Sequence, residues 1–368
     1  MKFRILGVAI FGASLAWSQQ NANPTPPPPV LVSGQTAAGA TTPSVTDAER
    51  QAVAVTAWDL NLHLMPQQQS MEVHARVTLR NAGAAPLAQI ALQLSSTLHF
   101  ETLGFRGKKI AFTAHSVASD ADHTGRLTEA VISLPEPLAP TASMTLDVDF
   151  GGTIPLTAER LTAIGAPAPT AEASDWDRIS EDFTGVRGFG NVVWYPVSSI
   201  PVSLADGAKL FDEIGRQKQM DEEATVSLRI TDEFFSPTPN AIVLNGQAIG
   251  GLQPAAMPTA SFPGVITASL PATRLGFETP SFFVARRTEI NGHGLRLLAT
   301  DADTSSAQRY LAAAALAEPV VTAWLGKSRS PITILDLPEA ADAPAETGEL
   351  LATPFSTDDA PHLAPVMT

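Results

Sequence analysis

Apolar and polar residues alternate strictly along two neighbouring stretches near the start of the patterned part of the chain. In residues 56–64 every second side chain is apolar, and residues 71–80 repeat the pattern before the turn Asn81-Ala82-Gly83. Because successive side chains of a strand point to opposite faces of a sheet, a period of two predicts half-buried strands. The two stretches are therefore predicted to pair as a hairpin.

Further short runs with the same period follow, separated by turn residues. They cover residues 88–95, 98–104, 109–113, 127–134, 143–150, 192–195, 224–230 and 241–244. Asn245-Gly246, which follows the last run and precedes another apolar one, is the usual signal of a two-residue hairpin turn. Residues 156–191 lack the period and predict a long irregular excursion with a helical turn or two. Many short strands joined by turns predict an antiparallel β-sandwich.

The pattern changes after residue 291. Residues 304–325 are rich in alanine and predict a helix, which Gly326 ends and Pro319 kinks or divides. A short apolar strand at residues 331–338, an acidic loop and another strand beginning at Gly348 follow the helix. Helix, strand, loop and strand after an all-β block predict the start of a second domain of the α+β type.

The N-terminus has the pattern of a signal peptide. Lys2 and Arg4 precede an apolar run, and small residues lie before the cleavage site predicted after residue 18. The apolar run has about 13 residues, whereas a membrane span needs roughly 20. Residues 1–18 therefore predict export, to a bacterial periplasm or the exterior, with no stable membrane span after cleavage.

Residues 19–52 form the next segment and are rich in proline, threonine and alanine. Such a segment lacks the periodic apolar residues needed to form a core, so it predicts a disordered linker. A polyproline ligand built on residues 26–29 is the alternative interpretation of the same segment.

Charge and cysteine content exclude some classes of partner and chemistry. The net charge is −14, and loss of the signal peptide would make the chain more negative, so nucleic acid is not an expected partner. The sequence contains no cysteine, so disulfides and thiolate chemistry are excluded. No pattern indicates an oligomeric state.

The familiar catalytic motifs are absent from the sequence. There is no G-x-S-x-G, no P-loop and no G-x-G-x-x-G after a strand, and no two of the seven histidines have H-x-x-x-H spacing. His63 and His74 lie on the polar faces of consecutive strands, which predicts a surface cross-strand pair rather than a metal site. The carboxylates of Asp212-Glu213 and of residues 221–223 predict solvated loops. No catalytic or metal-ligating residue is predicted.

Several features occur in an order that is moderately specific. A β-rich block is followed by VVWYP at residues 192–196, IVLNG at 242–246 and an alanine-rich helix leading into WLGKSRSPITILDLP at 324–338. In this order the features resemble the N-terminal portion of the aminopeptidase N family of gluzincin zinc metallopeptidases. The resemblance implies a mainly β fold: a saddle-like antiparallel β-sandwich in residues 53–290, then the truncated start of an α+β, thermolysin-like domain in residues 291–368.

The family's catalytic domain opens with a strand carrying G-x-M-E-N, followed by a helix carrying H-E-x-x-H. The two histidines of that helix bind zinc, and its glutamate activates the metal-bound water. This sequence ends before H-E-x-x-H. The resemblance therefore implies zinc only if a downstream helix is present, and an inactive chain as it stands.

The resemblance also gives a candidate substrate-binding strand. Aligned with G-x-M-E-N, the candidate residues are Gly348, Glu349, Leu350, Leu351 and Ala352. Leu351 then stands where the family has the glutamate that grips the free N-terminus of a peptide. Glu349 lies on the same face of the strand and could replace that carboxylate only if the register slipped by about one residue pair.

Two functional hypotheses follow. The first is an N-terminal fragment of an exported, aminopeptidase-like zinc metallopeptidase, with a peptide or protein substrate for the completed protein. The alternative is a non-enzymatic secreted β-sandwich that binds a partner or acts as a scaffold.

Overall fold

The structure is a computed structural model that describes residues 45–327 and 331–356. The predicted signal peptide, most of the predicted linker and residues 357–368 lie outside the described residues. The described residues belong to one compact unit.

Strands account for most of the regular structure. The strands are β1 Val53–Met65, β2 Ser70–Asn81, β3 Leu87–Ser95, β4 Leu98–Phe105, β5 Lys108–Lys109, β6 Phe112–Ala118, β7 Arg126–Leu138, β8 Ser143–Thr153, β9 Phe183–Val186, β10 Thr225–Phe234, β11 Ala241–Leu244, β12 Gln247–Ile249, β13 Pro254–Ala256, β14 Gly264–Arg274, β15 Phe282–Ala285, β16 Thr288–Gly292, β17 Leu295–Ala299, β18 Ile332–Asp336, β19 Ala345–Thr347 and β20 Leu350–Thr353. The helices are α1 Asp47–Ala52, α2 Glu159–Ala163, α3 Ala168–Ser174, α4 Gly207–Met220 and α5 Thr304–Leu325, with 3₁₀ turns at Pro66–Gln68 and Leu204–Asp206.

The two alternating stretches at the start of the pattern lie at the centre of an eight-stranded sheet. Its order is β13-β14-β10-β1-β2-β8-β4-β5. Strands β1 and β2 pair antiparallel, with Leu62 opposite Val73, which confirms the predicted hairpin. Strand β10 pairs with the other edge of β1 in parallel, so this sheet is not purely antiparallel.

A three-stranded sheet, β3-β7-β6, completes the sandwich. Side chains from the buried face of β1, such as Leu60 and Leu62, share one apolar cluster with Ile90 and Leu92 of β3 and Ile132 of β7. The regular alternation along these strands places every second residue in the shared core. The predicted mainly β fold with an antiparallel sandwich is confirmed.

Residues 45–52 belong to the folded part of the chain, although the sequence assigned them to the linker. A capping box between Thr46 and Glu49 starts α1. The Arg50 guanidinium donates two hydrogen bonds to buried Glu129, at 2.8 and 2.7 Å. Burial would raise the pKa of Glu129, but the hydrogen bonds from Arg50 and Gln93 outweigh it and lower that pKa. The predicted linker boundary at residue 52 is therefore wrong, because residues 45–52 are folded.

The prediction of a strand at residues 192–195 is wrong. These residues form no strand, yet Trp194 and Tyr195 are almost completely buried. The backbone N–H of Val193 donates to the side chain of Asp122 at 2.8 Å, and its carbonyl accepts from Ser95 at 2.7 Å. The apolar run reflects an irregular segment buried in the core rather than a pleated strand.

The prediction of solvated loops around Asp212-Glu213 and residues 221–223 is also partly wrong. Residues 207–220 form helix α4. Glu213 lies on the buried face of this helix and accepts hydrogen bonds from the Arg216 side chain and the backbone N–H of Ile200. Asp221, at the end of the helix, is buried as well. Two of the three buried residues of α4, Glu213 and Gln217, are polar, so the helix has no apolar face that the sequence pattern could indicate.

A four-stranded sheet, β12-β11-β15-β9, has both faces buried. On one face Leu244 and Phe282 join the core of the sandwich. On the other face Val243 and Phe283 join a second cluster that includes Leu335 of β18. This sheet therefore connects the sandwich with the C-terminal part of the chain.

The C-terminal part is a five-stranded sheet, β16-β17-β18-β20-β19, covered by α5. Strands β17, β18 and β20 are mutually parallel. The predicted helix at residues 304–325 is confirmed and runs through Pro319 without a break, ending at Gly326 as expected. The boundary predicted between residues 290 and 291 falls inside β16.

Asn245-Gly246 forms the predicted two-residue turn, with Leu244 paired to Gln247. Both turn residues have positive φ, 47° and 77°, as a type I′ turn requires. A Cβ on Gly246 would lie 2.4 Å from the carbonyl oxygen of Thr347 in β19. The turn thus packs directly against the last hairpin of the chain.

We expect Gly246→Ala to lower the free energy of unfolding by about 2 kcal/mol or more, because it combines a strained φ with a backbone clash. The matched control is Gly107→Ala, where φ is 72° and a Cβ meets nothing within 4 Å. The control should lose about 1 kcal/mol. Urea unfolding measures both variants, and equal losses would show that the contact with Thr347 has no energetic weight.

Candidate substrate-binding edge

The candidate strand lies in the hairpin formed by β19 and β20. Thr347 pairs with Leu350, so Gly348 and Glu349 are the two central residues of the turn. Gly348 has a φ of 57°, which suits the first position of a type II′ turn. Gly348 and Glu349 are both exposed at the surface.

The other three candidate residues are part of the core. Leu350 faces the four-stranded sheet, Leu351 faces α5, and Ala352 is fully buried. The structure therefore brings the five residues together in one hairpin but leaves only the turn accessible. The side chains of Leu350, Leu351 and Ala352 have a packing role.

Glu346 is a carboxylate that the sequence analysis did not single out. It lies on β19 directly opposite Leu351, and its side chain is exposed. Directly paired residues of an antiparallel pair share a face of the sheet. A carboxylate thus lies beside the position at which the resemblance implied one. The three-residue alternation of β19 was too short to reveal it, and only the pairing register does.

Three hydrogen bonds from the β-rich part hold this hairpin in place. At one end, the hydroxyl groups of Thr347 and Ser281 lie 3.0 Å apart in a buried hydrogen bond. At the other end, the backbone N–H of Ala343 donates to the Ala173 carbonyl at 2.7 Å, and the Trp176 indole donates to the Ala343 carbonyl at 2.9 Å. Strand β19 is therefore fixed before and after its short length.

A buried aspartate fixes the neighbouring strands. Asp336, at the end of β18, accepts hydrogen bonds from the backbone N–H groups of Thr300 at 2.9 Å and Phe355 at 2.8 Å. Burial raises the pKa of Asp336, and these hydrogen bonds oppose that rise. The arrangement ties the end of β17, the end of β18 and the segment after β20 together.

The C-terminal half of α5 carries an exposed apolar stripe. Leu316, Val320 and Trp324 follow one another at intervals of four residues and are 82%, 60% and 86% exposed. Residues three or four apart lie on the same face of a helix, so these side chains form one continuous surface. The buried residues of α5 lie in its first half, up to Ala314.

The described residues do not contain a donor set that fits a zinc ion. Within residues 45–327 and 331–356, no three His, Asp or Glu side chains gather to hold a metal. His63 lies opposite Glu72 and bonds Glu233 at 2.9 Å, whereas His74 bonds Asp149, so the predicted histidine pair is wrong.

Comparison with known proteins gave matches among solved structures only. No family model matches the sequence, and no curated protein matches it. An M1 zinc metallopeptidase from Deinococcus radiodurans is 14% identical, with a TM-score of 0.45 over 83% of this chain and 61% of that one. A two-domain M1 zinc metallopeptidase mutant bound to L-arginine is 16% identical, with a TM-score of 0.47 over 84% and 62%.

The chain spans about three-fifths of the length of the solved structures it matches. No helix in the described part of the chain is long and apolar enough to cross a membrane.

Proposed function

We propose that the chain is the N-terminal portion of an exported zinc metallopeptidase-like protein, and that β19 is its peptide-binding edge. The position of Glu346 supports this proposal most directly. Its exposed carboxylate lies on β19, an edge strand of the five-stranded sheet, directly opposite Leu351. The resemblance in sequence assigned the amine-binding carboxylate to the position of Leu351. Glu346 supplies that carboxylate from the neighbouring strand.

The position of β19 suits an extended peptide. A strand at the edge of a sheet has one row of backbone N–H and C=O groups that face away from its partner, and an extended peptide can add to that row. The carboxylate of Glu346 would then pair with a free amino terminus. Thr347 and Ala343 are fixed by contacts with the β-rich part. The entropy cost of ordering β19 when a peptide binds is therefore small.

Zinc and catalysis are assigned to residues outside this sequence. The described residues offer no fitting donor set, so the 368-residue chain is proposed to be inactive and to bind no catalytic zinc. Export rests on the predicted signal peptide, in particular on Lys2, Arg4 and the apolar run after them.

The apolar stripe of α5 supports a larger domain. Leu316, Val320 and Trp324 would be unusual as a contiguous exposed patch on a complete soluble domain. We propose that further polypeptide of the peptidase-like domain covers this stripe.

We expect β19 to distinguish peptides by their amino terminus. A short peptide with a free amine should shift the backbone amide resonances of residues 345–347, whereas its N-acetylated form should shift them less, because the acetyl group removes the charge that pairs with Glu346. NMR titration measures the two dissociation constants. Glu346→Gln should abolish the difference between the two peptides.

The matched control is Glu289→Gln, on β16 at the opposite edge of the same sheet. This variant should keep the preference for the free amine. A preference that survives in Glu346→Gln, or that disappears in the control, would contradict the assignment of the site.

We also expect the α5 stripe to be uncovered in the 368-residue chain. Leu316→Gln combined with Trp324→Gln should change the free energy of unfolding by no more than about 0.5 kcal/mol, because exposed side chains contribute little. The same variant should bind less anilinonaphthalene sulfonate, measured by dye fluorescence. Phe211→Gln, at an isolated exposed phenylalanine, is the control and should leave dye binding nearly unchanged. A loss of stability of several kcal/mol would show that the stripe is covered within this chain.

A further inference from the structure

One aspartate interrupts the apolar face of strand β10. Val226, Leu228 and Ile230 point into the core at alternate positions, and the next inward position is Asp232. Its residue surface is only 1% exposed, and its Oδ1 has no hydrogen-bond partner in the described part of the chain. An ionised carboxylate is strongly unfavourable in such a place unless something compensates its charge.

A small cavity lies next to this carboxylate. Its volume is about 10 Å³, the space of one water-sized sphere, and oxygen-bearing side chains border much of it. These are Ser180, Glu181, Thr184, Asp232, Glu233 and Ser236, and the other seven lining residues are apolar. The residues that line it include three carboxylates and neither lysine nor arginine.

Two of the three hydroxyl groups at the cavity, those of Ser180 and Thr184, have already used their protons. Ser180 donates to the carbonyl of Phe183 at 2.6 Å, and Thr184 donates to the carbonyl of Ser180 at 3.2 Å. Each of these oxygens also accepts a backbone N–H at 3.3 Å, so only its remaining lone pair can meet a cation or the proton of a water molecule.

The charges at the cavity also need a partner. Glu233 is bonded by the His63 ring at 2.9 Å, but Oδ1 of Asp232 has no hydrogen-bond partner among the described residues. Burial, and then the nearby charge of Glu233, raise the pKa of Asp232 to about 7. An unpaired negative charge on Asp232 is therefore unfavourable at neutral pH. A bound cation would offset both the cost of burying that charge and its repulsion by Glu233.

We propose that Asp232 and the oxygens around this cavity bind one oxygen-seeking cation, with calcium as the best fit. Calcium accepts a variable number of oxygen ligands in irregular geometry, whereas magnesium requires a near-ideal octahedron. No three acidic or histidine side chains of the described residues gather to hold a metal alone. Hydroxyl, carbonyl and water oxygens complete the set of ligands.

Thermal unfolding of the purified chain in millimolar CaCl₂ tests the site, with MgCl₂ and with NaCl at equal ionic strength for comparison. Calcium should raise the Tm by roughly 2 to 4 °C or more over the NaCl sample, because a ligand that binds only the folded state stabilises it. Asp232→Asn should remove this shift. The control is Asp221→Asn, because Asp221 is likewise buried with a pKa raised by burial to about 7 but lies outside the cavity and accepts a hydrogen bond from Gln217.

Asp221→Asn should keep the calcium shift. Equal shifts in CaCl₂ and NaCl would overturn the proposal, because they would reflect screening of the acidic chain, and so would a full shift in Asp232→Asn. Absence of any shift would mean that the cavity holds only water. If Asp232→Asn does not fold, calorimetric titration of Glu233→Gln with CaCl₂ decides: the proposal requires a several-fold weaker affinity than wild type, and an unchanged affinity contradicts it.

Discussion

The rest of the structure depends on the burial of both faces of the four-stranded sheet. Leu244 and Phe282 face the sandwich, while Val243 and Phe283 face the C-terminal sheet. Because strand residues alternate, four short strands can carry two separate apolar surfaces at once. The sandwich and the C-terminal sheet are therefore packed onto opposite sides of a common layer rather than joined by a loose linker.

This arrangement explains how a very short edge strand can be held in place. Strand β19 has only three residues, too few to be stable by its own pairing. The Asn245-Gly246 turn and Ser281 support it at Thr347, and the α3 region supports it at Ala343. A site whose supporting contacts come from rigid elements needs little reorganisation when a ligand binds.

Local patterns predicted the parts of the fold that local interactions determine. The β1–β2 hairpin, the Asn245-Gly246 turn and helix α5 are each specified by residues close together in sequence. Helix α4 was missed because its polar composition masks a narrow buried face, and the buried segment at residues 192–195 was taken for a strand because apolar runs do not distinguish the two.

The candidate sites show the same division. Glu346 is a candidate site residue only because it pairs with Leu351. The register of that pair cannot be predicted from the three-residue sequence of β19. Asp232 is different, since an aspartate in the inward series of Val226, Leu228 and Ile230 is visible in the sequence. Its burial and its cavity depend on β1, β9 and the segment after β10, which only the structure brings together.

Our proposal that these residues are the front part of a zinc metallopeptidase-like protein concerns the polypeptide encoded after Thr368. Sequencing the coding DNA beyond the codon for Thr368 tests it most directly. We expect an open reading frame with H-E-x-x-H within a few codons and a further glutamate codon downstream as the third zinc ligand. An immediate stop codon, or an open frame without the two histidines, would contradict it.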